Sequence, residues 1–264
     1  MFQAEIGPFR LYLAAGRESA RTIRAYSDAV RWFAAAHLLG QTSRDGWEQV
    51  DGQDIRQWVT WRLDHYSEAY ASNQYRALQQ FFGWLAAEEE IPDPMAGLRP
   101  PKVAAKLVLV FTGEELARIG QVCAGRSFAQ RRPAAVIAVF LATGIRLAEL
   151  AGIRYDPHDP GRSDVDLWQR EITVRGKGGK PRIVKITHNP ARAADRYLRV
   201  RARHIQADRS QLWLGASNRE PVTASGIYQM IGRRGRQCEV ELYPHRFRHH
   251  FSHTWLDRGG PEGT

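Results

Sequence analysis

The sequence predicts a mainly α-helical protein with a small β insertion, divided into an N-terminal helical domain and a C-terminal α+β domain. Three observations predict this fold class. Apolar residues recur at three- and four-residue spacings through much of the first hundred positions, which is the period of an amphipathic helix. A proline-rich stretch then interrupts the pattern, and a segment of alternating apolar and polar residues around a glycine-rich centre follows at 172–186.

A small helical bundle is predicted for the N-terminal domain, which we place over residues 1–90. The apolar spacing predicts one amphipathic helix over residues 21–38. The same spacing predicts two more helices, over Asp54–Tyr66 and Glu68–Glu88.

A linker is expected over residues 91–106, because four prolines and a lone glycine exclude regular structure there. The second domain is expected over residues 107–264. A capping box of Thr112 with Glu115 predicts its first helix, and a further helix is predicted over Pro133–Ala142.

The charge balance favours a polyanionic partner, nucleic acid first and an acidic membrane surface second. The 264 residues carry a net charge of +10, and 43% of them are hydrophobic, which is enough to bury a core. Residues 1–100 hold 10 Lys and Arg against 13 Asp and Glu, whereas the remainder holds 28 against 15. Of the 38 basic residues 33 are Arg, which suits bidentate phosphate binding but also a GC-rich coding genome.

Several kinds of protein are excluded by what the sequence lacks. No stretch has the apolar length of a membrane span or the pattern of a signal peptide, so a soluble, cytoplasmic protein is expected. The two cysteines, Cys123 and Cys238, lie far apart and outside any CxxC pair. We therefore expect neither a disulfide framework nor a structural zinc site.

The first segment that suggests chemistry is LATGIRLAELAGI, residues 141–153. A helix is predicted to stop at Thr143-Gly144 and a new one to start near Arg146. An arginine at a helix start can clamp a phosphate, and Glu149 shares its face and could orient it. An ordinary surface ion pair would give the same Arg-x-x-Glu spacing.

The second segment, ITVRGKGGKPRIVKI, is predicted to be a β-hairpin with Lys177 and Lys180 at its tip. A lysine on such a tip can reach into a DNA groove and donate a proton. A solvated turn lysine that contacts phosphate non-specifically is the alternative.

The third segment is YPHRFRHHFSHTWL, where Pro244 is predicted to start a helix that carries His245 and Arg248 on one face. His249 and His253 stand four residues apart and would suit a metal. The flanking residues are rich in arginine, so no metal site is expected.

Together the three segments resemble the tyrosine recombinases, the family of Xer, Cre and phage integrases. The chain has that family's ATGxR, GKGxKxR and His-x-x-Arg-His motifs in the same order. RTIRAYSDAVRWF, YRALQQFFGWL and DPMAGLRPPK are similar to its core-binding helices and interdomain linker. The resemblance covers essentially the whole chain and implies a SAM-like core-binding domain before a catalytic domain. It points to a simple recombinase, Xer-like or a small phage integrase without an arm-binding domain.

The resemblance implies a role for each motif residue. Arg146 and Arg248 would hold the non-bridging oxygens of a scissile phosphate, and Glu149 would support them from behind. His245 would hydrogen-bond the phosphate and help to manage the nucleophile's proton, and Lys177 would protonate the departing 5′ oxygen. No cofactor and no metal is implied, because cationic side chains do this electrostatic work.

The partner implied is double-stranded DNA, with a homo-tetramer on DNA for the full-length protein and a monomer in solution for this chain. Six further basic residues are expected to contact DNA: Arg21, Arg24, Arg76, Lys180, Arg182 and Arg246. Three more could lie on the same face of the N-terminal domain: Arg31, Arg56 and Arg62.

The chain departs from the family at its end. A Leu-Gly-His segment and the nucleophilic tyrosine should follow Arg248, but the sequence ends at Thr264. Tyr228 and Tyr243 are not expected to substitute. A fragment that binds DNA without recombining it is therefore expected. The alternatives are a natural non-catalytic module that occupies recombination sites and a topoisomerase with the same set of residues.

Overall fold

The computed structural model describes residues 2–104, 107–216 and 220–260, apart from the side chain of Lys177. The chain divides into two compact units, Met1–Lys106 and Leu107–Thr264, each with its own hydrophobic core. The described residues are mainly helical and include one three-stranded sheet, which confirms the predicted fold class. No helix among them is long and apolar enough to cross a membrane.

The described residues of the first unit form five α-helices: α1 Ile6–Ala15, α2 Ala20–Trp32, α3 Leu39–Gln41, α4 Gly52–His65 and α5 Glu68–Glu88. A π-helical segment, Phe33–Leu38, joins α2 to α3, so the predicted helix over 21–38 is present but widens at its end. The sequence interpretation missed α1. Gly7 and Pro8 hid this helix, although Pro is well tolerated in the first helical turn.

Side-chain caps and aromatic packing define the helices of the first unit. Ser19, Asp51 and Ser67 accept backbone N–H groups at the starts of α2, α4 and α5. In the core, the rings of Phe9 and Phe81 meet edge to face with their centroids 5.2 Å apart. Such close-packed aromatic rings fix the angles between the helices.

The second unit combines helices with a small sheet. Its helices are α6 Gly113–Val122, α7 Phe128–Thr143, α8 Leu147–Ala151, α9 His188–Arg201, α10 Ala224–Cys238 and α11 Pro244–Asp257. Its antiparallel strands are β1 Val165–Asp166, β2 Glu171–Arg175 and β3 Pro181–Lys185. The β2–β3 pair is the predicted hairpin, and the capping box of Thr112 with Glu115 starts α6 as predicted.

Helix α7 begins earlier than predicted, which corrects the start placed at Pro133. A capping box of Ser127 with Gln130 starts the helix, and Pro133 lies inside it. Proline has no N–H to give to the carbonyl four residues before it, which here belongs to Ala129. That carbonyl accepts a hydrogen bond from Arg234 Nη2 at 2.6 Å, so a side chain replaces the missing donor.

Candidate active site

The site is built around the turn between α7 and α8. Helix α7 ends at Thr143, Gly144 adopts a left-handed conformation with φ of 56°, and Arg146 is the N-cap of α8. A Cβ on Gly144 would lie 2.7 Å from Phe251 Cδ1. Both the backbone angle and the lack of space therefore require glycine at this position.

Helix α11 brings a second arginine to this turn. Arg248 Nη1 donates a hydrogen bond to the carbonyl of Gly144 at 2.9 Å. His245 lies one turn earlier on α11, which starts at Pro244 as predicted. The structure thus brings the helix that carries His245 and Arg248 against the turn that carries Arg146.

The carboxylate of Glu149 binds both the backbone and the side chain of Arg146. It accepts the backbone N–H of Arg146 at 2.8 Å and Arg146 Nη1 at 3.2 Å. The side chain of Glu149 is 2% exposed, whereas that of Arg146 is 61% exposed. The carboxylate therefore anchors the arginine while most of its guanidinium faces solvent, where an anion can reach it.

The sequence interpretation missed the second residue that binds Glu149, which is Arg182 on β3. Arg182 Nη1 and Nη2 donate to the two carboxylate oxygens at 2.7 and 2.9 Å. Arg182 is expected from the sequence to contact DNA, and its side chain remains 43% exposed. No local pattern could reveal this pair, because its members stand 33 residues apart in the chain.

These contacts control the ionisation of Glu149. Burial raises the pKa of its carboxyl, but hydrogen bonds from Arg182 and from Arg146 lower it by more, to about 2. The carboxylate is therefore ionised throughout the neutral range.

We expect Glu149 to make the folded state more stable at neutral pH than in acid. The folded pKa of about 2 lies below the ordinary value of 4.5, so this stabilisation is present above about pH 4.5 and is lost as the pH falls towards about 2. Urea unfolding at several pH values should show native protein more stable than Glu149→Gln at neutral pH, with a gap that narrows in acid. A gap independent of pH would contradict this.

The two histidines at the start of α11 form a pair that the sequence interpretation did not propose. His249 Nε2 lies 2.9 Å from His245 Nε2, and His253 instead contacts Asp257 at 2.9 Å. Burial, followed by the charges of His245 and Arg248, lowers the pKa of His249. The i, i+4 spacing of His245 and His249 was the available sequence signal. Among the described residues, no group of three or more His, Cys, Asp or Glu side chains could hold a metal ion.

Both units of the chain match the models of known protein families. Residues 110–262 match the model of the phage integrase family. Residues 6–89 match the N-terminal SAM-like domain of phage integrases. The chain belongs to the phage integrase family.

Individual relatives agree with this assignment. Tyrosine recombinase XerC of Xanthomonas campestris pv. campestris (strain B100) is 28% identical over 263 residues, 97% of this chain and 76% of that protein. The crystal structure of XerA recombinase matches with a TM-score of 0.51 and 25% identity, over 99% of this chain and 86% of that one. The Tn1549 transposon integrase in complex with transposon right end DNA shares the fold, with a TM-score of 0.76 and 16% identity over 99% and 88% of the two chains.

In this integrase-family chain, two lysines singled out from the sequence, Lys177 and Lys180, lie at the tip of the β2–β3 hairpin. The backbone of Lys177 lies in the turn Lys177–Gly179, and its side chain lies outside the described part of the structure. Lys180 follows the turn and is exposed. The role of Lys177 thus stays a prediction.

The structure corrects the DNA contact expected for Arg246. Its side chain is 8% exposed, and its Nη2 lies 2.8 and 2.7 Å from the two oxygens of Glu115. Its Nε donates to the carbonyl of Leu109 at 3.0 Å. Arg246 therefore stabilises the packing of α11 against α6 and the segment before it, and its donors are occupied within the protein.

The arginines of the first unit that are expected to contact DNA include both exposed and buried residues. Arg21, Arg24 and Arg76 are exposed on α2 and α5, and their DNA contacts stay predictions. Arg62 is 4% exposed, and its guanidinium lies over the ring of Trp58 at 4.0 Å, so the DNA-facing position suggested for it is wrong. Four other aromatic rings lie within 6 Å of it: Trp32, Trp61, Tyr66 and Tyr70.

Proposed function

We propose that this chain binds duplex DNA and holds one phosphodiester between Arg146 and Arg248, as part of site-specific strand exchange. The observation that carries this proposal is the hydrogen bond from Arg248 to Gly144, two residues before Arg146. Two guanidinium groups at one turn suit the two non-bridging oxygens of a phosphate. The Xer relatives and the family match support the same function.

The proposed chemistry uses charge instead of a metal ion. Arg146 and Arg248 would offset the negative charge that builds up on the phosphate oxygens in the transition state. His245 would hydrogen-bond the phosphate and take part in moving the nucleophile's proton, and Lys177 would protonate the departing 5′ oxygen.

We propose further that the polypeptide of these 264 residues binds DNA without cleaving it. Cleavage through a 3′-phosphotyrosyl intermediate needs a tyrosine near the phosphate. Two tyrosines come shortly before Arg248 in the sequence: Tyr243 is the N-cap of α11, and Tyr228 is 52% exposed on α10. We propose that neither is the nucleophile. Occupation of recombination sites without chemistry is the second candidate function.

The test combines a gel shift with a search for covalent complexes. The polypeptide is first used to select duplexes from a library with a randomised core, at two salt concentrations. We expect retention of a half-site of roughly 10–15 bp, with an affinity that falls steeply as salt is raised. Arg146→Ala and Arg248→Ala should each lower this affinity by about tenfold or more. Weak binding that ignores sequence would contradict the proposal.

The same duplexes are then incubated with the polypeptide and run under denaturing conditions. We expect no band of a covalent protein–DNA complex, which would survive the detergent. A resistant band would contradict the non-cleaving part of the proposal, and its loss in Tyr228→Phe or Tyr243→Phe would identify the nucleophile.

A further inference from the structure

The Glu149 carboxylate joins two parts of the site that are distant in the sequence. It binds Arg146, at the start of α8, and Arg182, on the second strand of the β2–β3 hairpin. We name these three residues the Glu149 junction. We propose that Arg182 is a positioning residue, which acts through Glu149 to set the place of Arg146 relative to the hairpin that carries Lys177.

The junction lies against the base of the hairpin turn. A Cβ added to Gly176, the residue before Lys177, would lie 3.6 Å from Arg182 Nη1 and 3.7 Å from Glu149 Oε1. The tip differs: among the described residues, chain neighbours apart, no atom lies within 4 Å of a Cβ built on Gly178 or Gly179. The junction thus holds the root of the hairpin.

Burial makes the junction more than a surface ion pair. The side chain of Glu149 is 2% exposed, so the carboxylate depends on protein donors in place of water. Arg182 supplies two of its four hydrogen bonds, and the backbone and side chain of Arg146 supply the other two. Without Arg182 the carboxylate would lose the two contacts that fix its orientation, so its hydrogen bonds to the Arg146 N–H and to the Arg146 guanidinium would loosen.

A second ion pair on the same hairpin provides a matched control. Asp164, with 6% of its side chain exposed, accepts Arg175 Nη1 at 2.7 Å and the backbone N–H of Arg154 at 2.8 Å. Arg175 is 44% exposed and Arg182 is 43% exposed. Both pairs join a hairpin arginine to a buried carboxylate that also holds a backbone N–H, but only the Arg182 pair involves Arg146.

The first experiment needs no DNA and measures backbone hydrogen exchange in the 264-residue polypeptide. In Arg182→Gln we expect the Arg146 amide, which donates to Glu149, to exchange about tenfold faster or more, with partial rescue by Arg182→Lys. Arg175→Gln should leave the Arg146 amide at its native rate. An unchanged Arg146 amide in Arg182→Gln, or an equal acceleration in Arg175→Gln, would overturn the proposal.

The second experiment rests on the proposed function and measures affinity for the selected duplex. If Arg182 acts through Arg146, Arg146→Gln should cost less affinity when Arg182 is already replaced. We expect the fold-loss of affinity caused by Arg146→Gln to be at least about threefold smaller in an Arg182→Gln background than in the native one. In an Arg175→Gln background the loss should be undiminished. Equal losses in all backgrounds would overturn the positioning role.

Failure of the proposed function gives a different pattern. If the native polypeptide retains no duplex, or Arg146→Gln binds as well as native protein, DNA binding by this site is refuted. The exchange of the Arg146 amide still decides the positioning role of Arg182 in that case.

Discussion

Arg201→Met is expected to lower the free energy of unfolding of the unit that contains it by about 3–5 kcal/mol. The residue is 1% exposed, and its guanidinium donates to the carbonyls of Ala207, Gln211 and Leu212 at 2.8, 2.9 and 3.1 Å. It also donates to the carbonyl of Arg209. These bonds hold the segment after α9 around a buried charge. Methionine would remove the Arg201 donors from all four carbonyls, of which the Leu212 carbonyl would keep the hydrogen bond that it also accepts from the Tyr197 hydroxyl.

Urea unfolding of the full chain measures this effect, with Arg199→Met as the control. Arg199 stands on the same helix, but its side chain is 77% exposed and pairs with Asp195 one turn away. Its replacement should change the free energy of unfolding by about 0.5 kcal/mol or less. Equal effects of the two substitutions would contradict a structural role for Arg201.

Gly144→Ala is expected to destabilise the same unit by about 2–4 kcal/mol and to weaken DNA binding as well. The left-handed backbone at φ of 56° strains any residue with a Cβ, and this Cβ would also press on Phe251. Relief of the clash would move the turn that carries Arg146 or the helix that carries Arg248. Urea unfolding and the gel shift measure the two consequences.

Gly178→Ala separates backbone strain from the clash. Its φ of 78° is also left-handed, but within the described part of the structure no atom outside its chain neighbours lies within 4 Å of its Cβ position. The cost should therefore be about 1–2 kcal/mol, from strain alone. A cost for Gly144→Ala no larger than this would show that Phe251 moves aside freely.

Local sequence patterns predicted several elements of both units, including two that carry the site. Helix α5 follows from its apolar spacing, α6 from the Thr112 capping box, and α11 from Pro244 at its first position. The β2–β3 hairpin follows from alternation around glycines. These signals are local, because each depends on residues within one turn or one strand pair.

The errors arose where tertiary contacts override a local signal. Pro133 signals a helix start, but Arg234, from another helix, replaces the hydrogen bond that proline removes. Gly7 and Pro8 suggest a break, but burial of Phe9 in the first core stabilises α1. In both cases the compensating group is distant in the sequence.

Three arginines show the same limit of the sequence interpretation. In the sequence, Arg182, Arg246 and Arg62 are all basic residues near expected DNA-binding segments. In the structure, Glu149 holds the first, Glu115 holds the second, and aromatic rings enclose the third. A buried arginine and a DNA-contacting arginine have the same composition and charge, so only the three-dimensional partners distinguish them.

The most direct test of the account is a scan of single phosphates in the selected duplex. Each phosphate is replaced in turn by an uncharged methylphosphonate, and the affinity of native protein, Arg146→Ala and Arg248→Ala is measured. The account predicts one position at which neutralisation weakens native binding by about tenfold or more and has little further effect in either variant. If the two arginines respond to different phosphates, or to none, they do not share a phosphodiester and the proposed site is wrong.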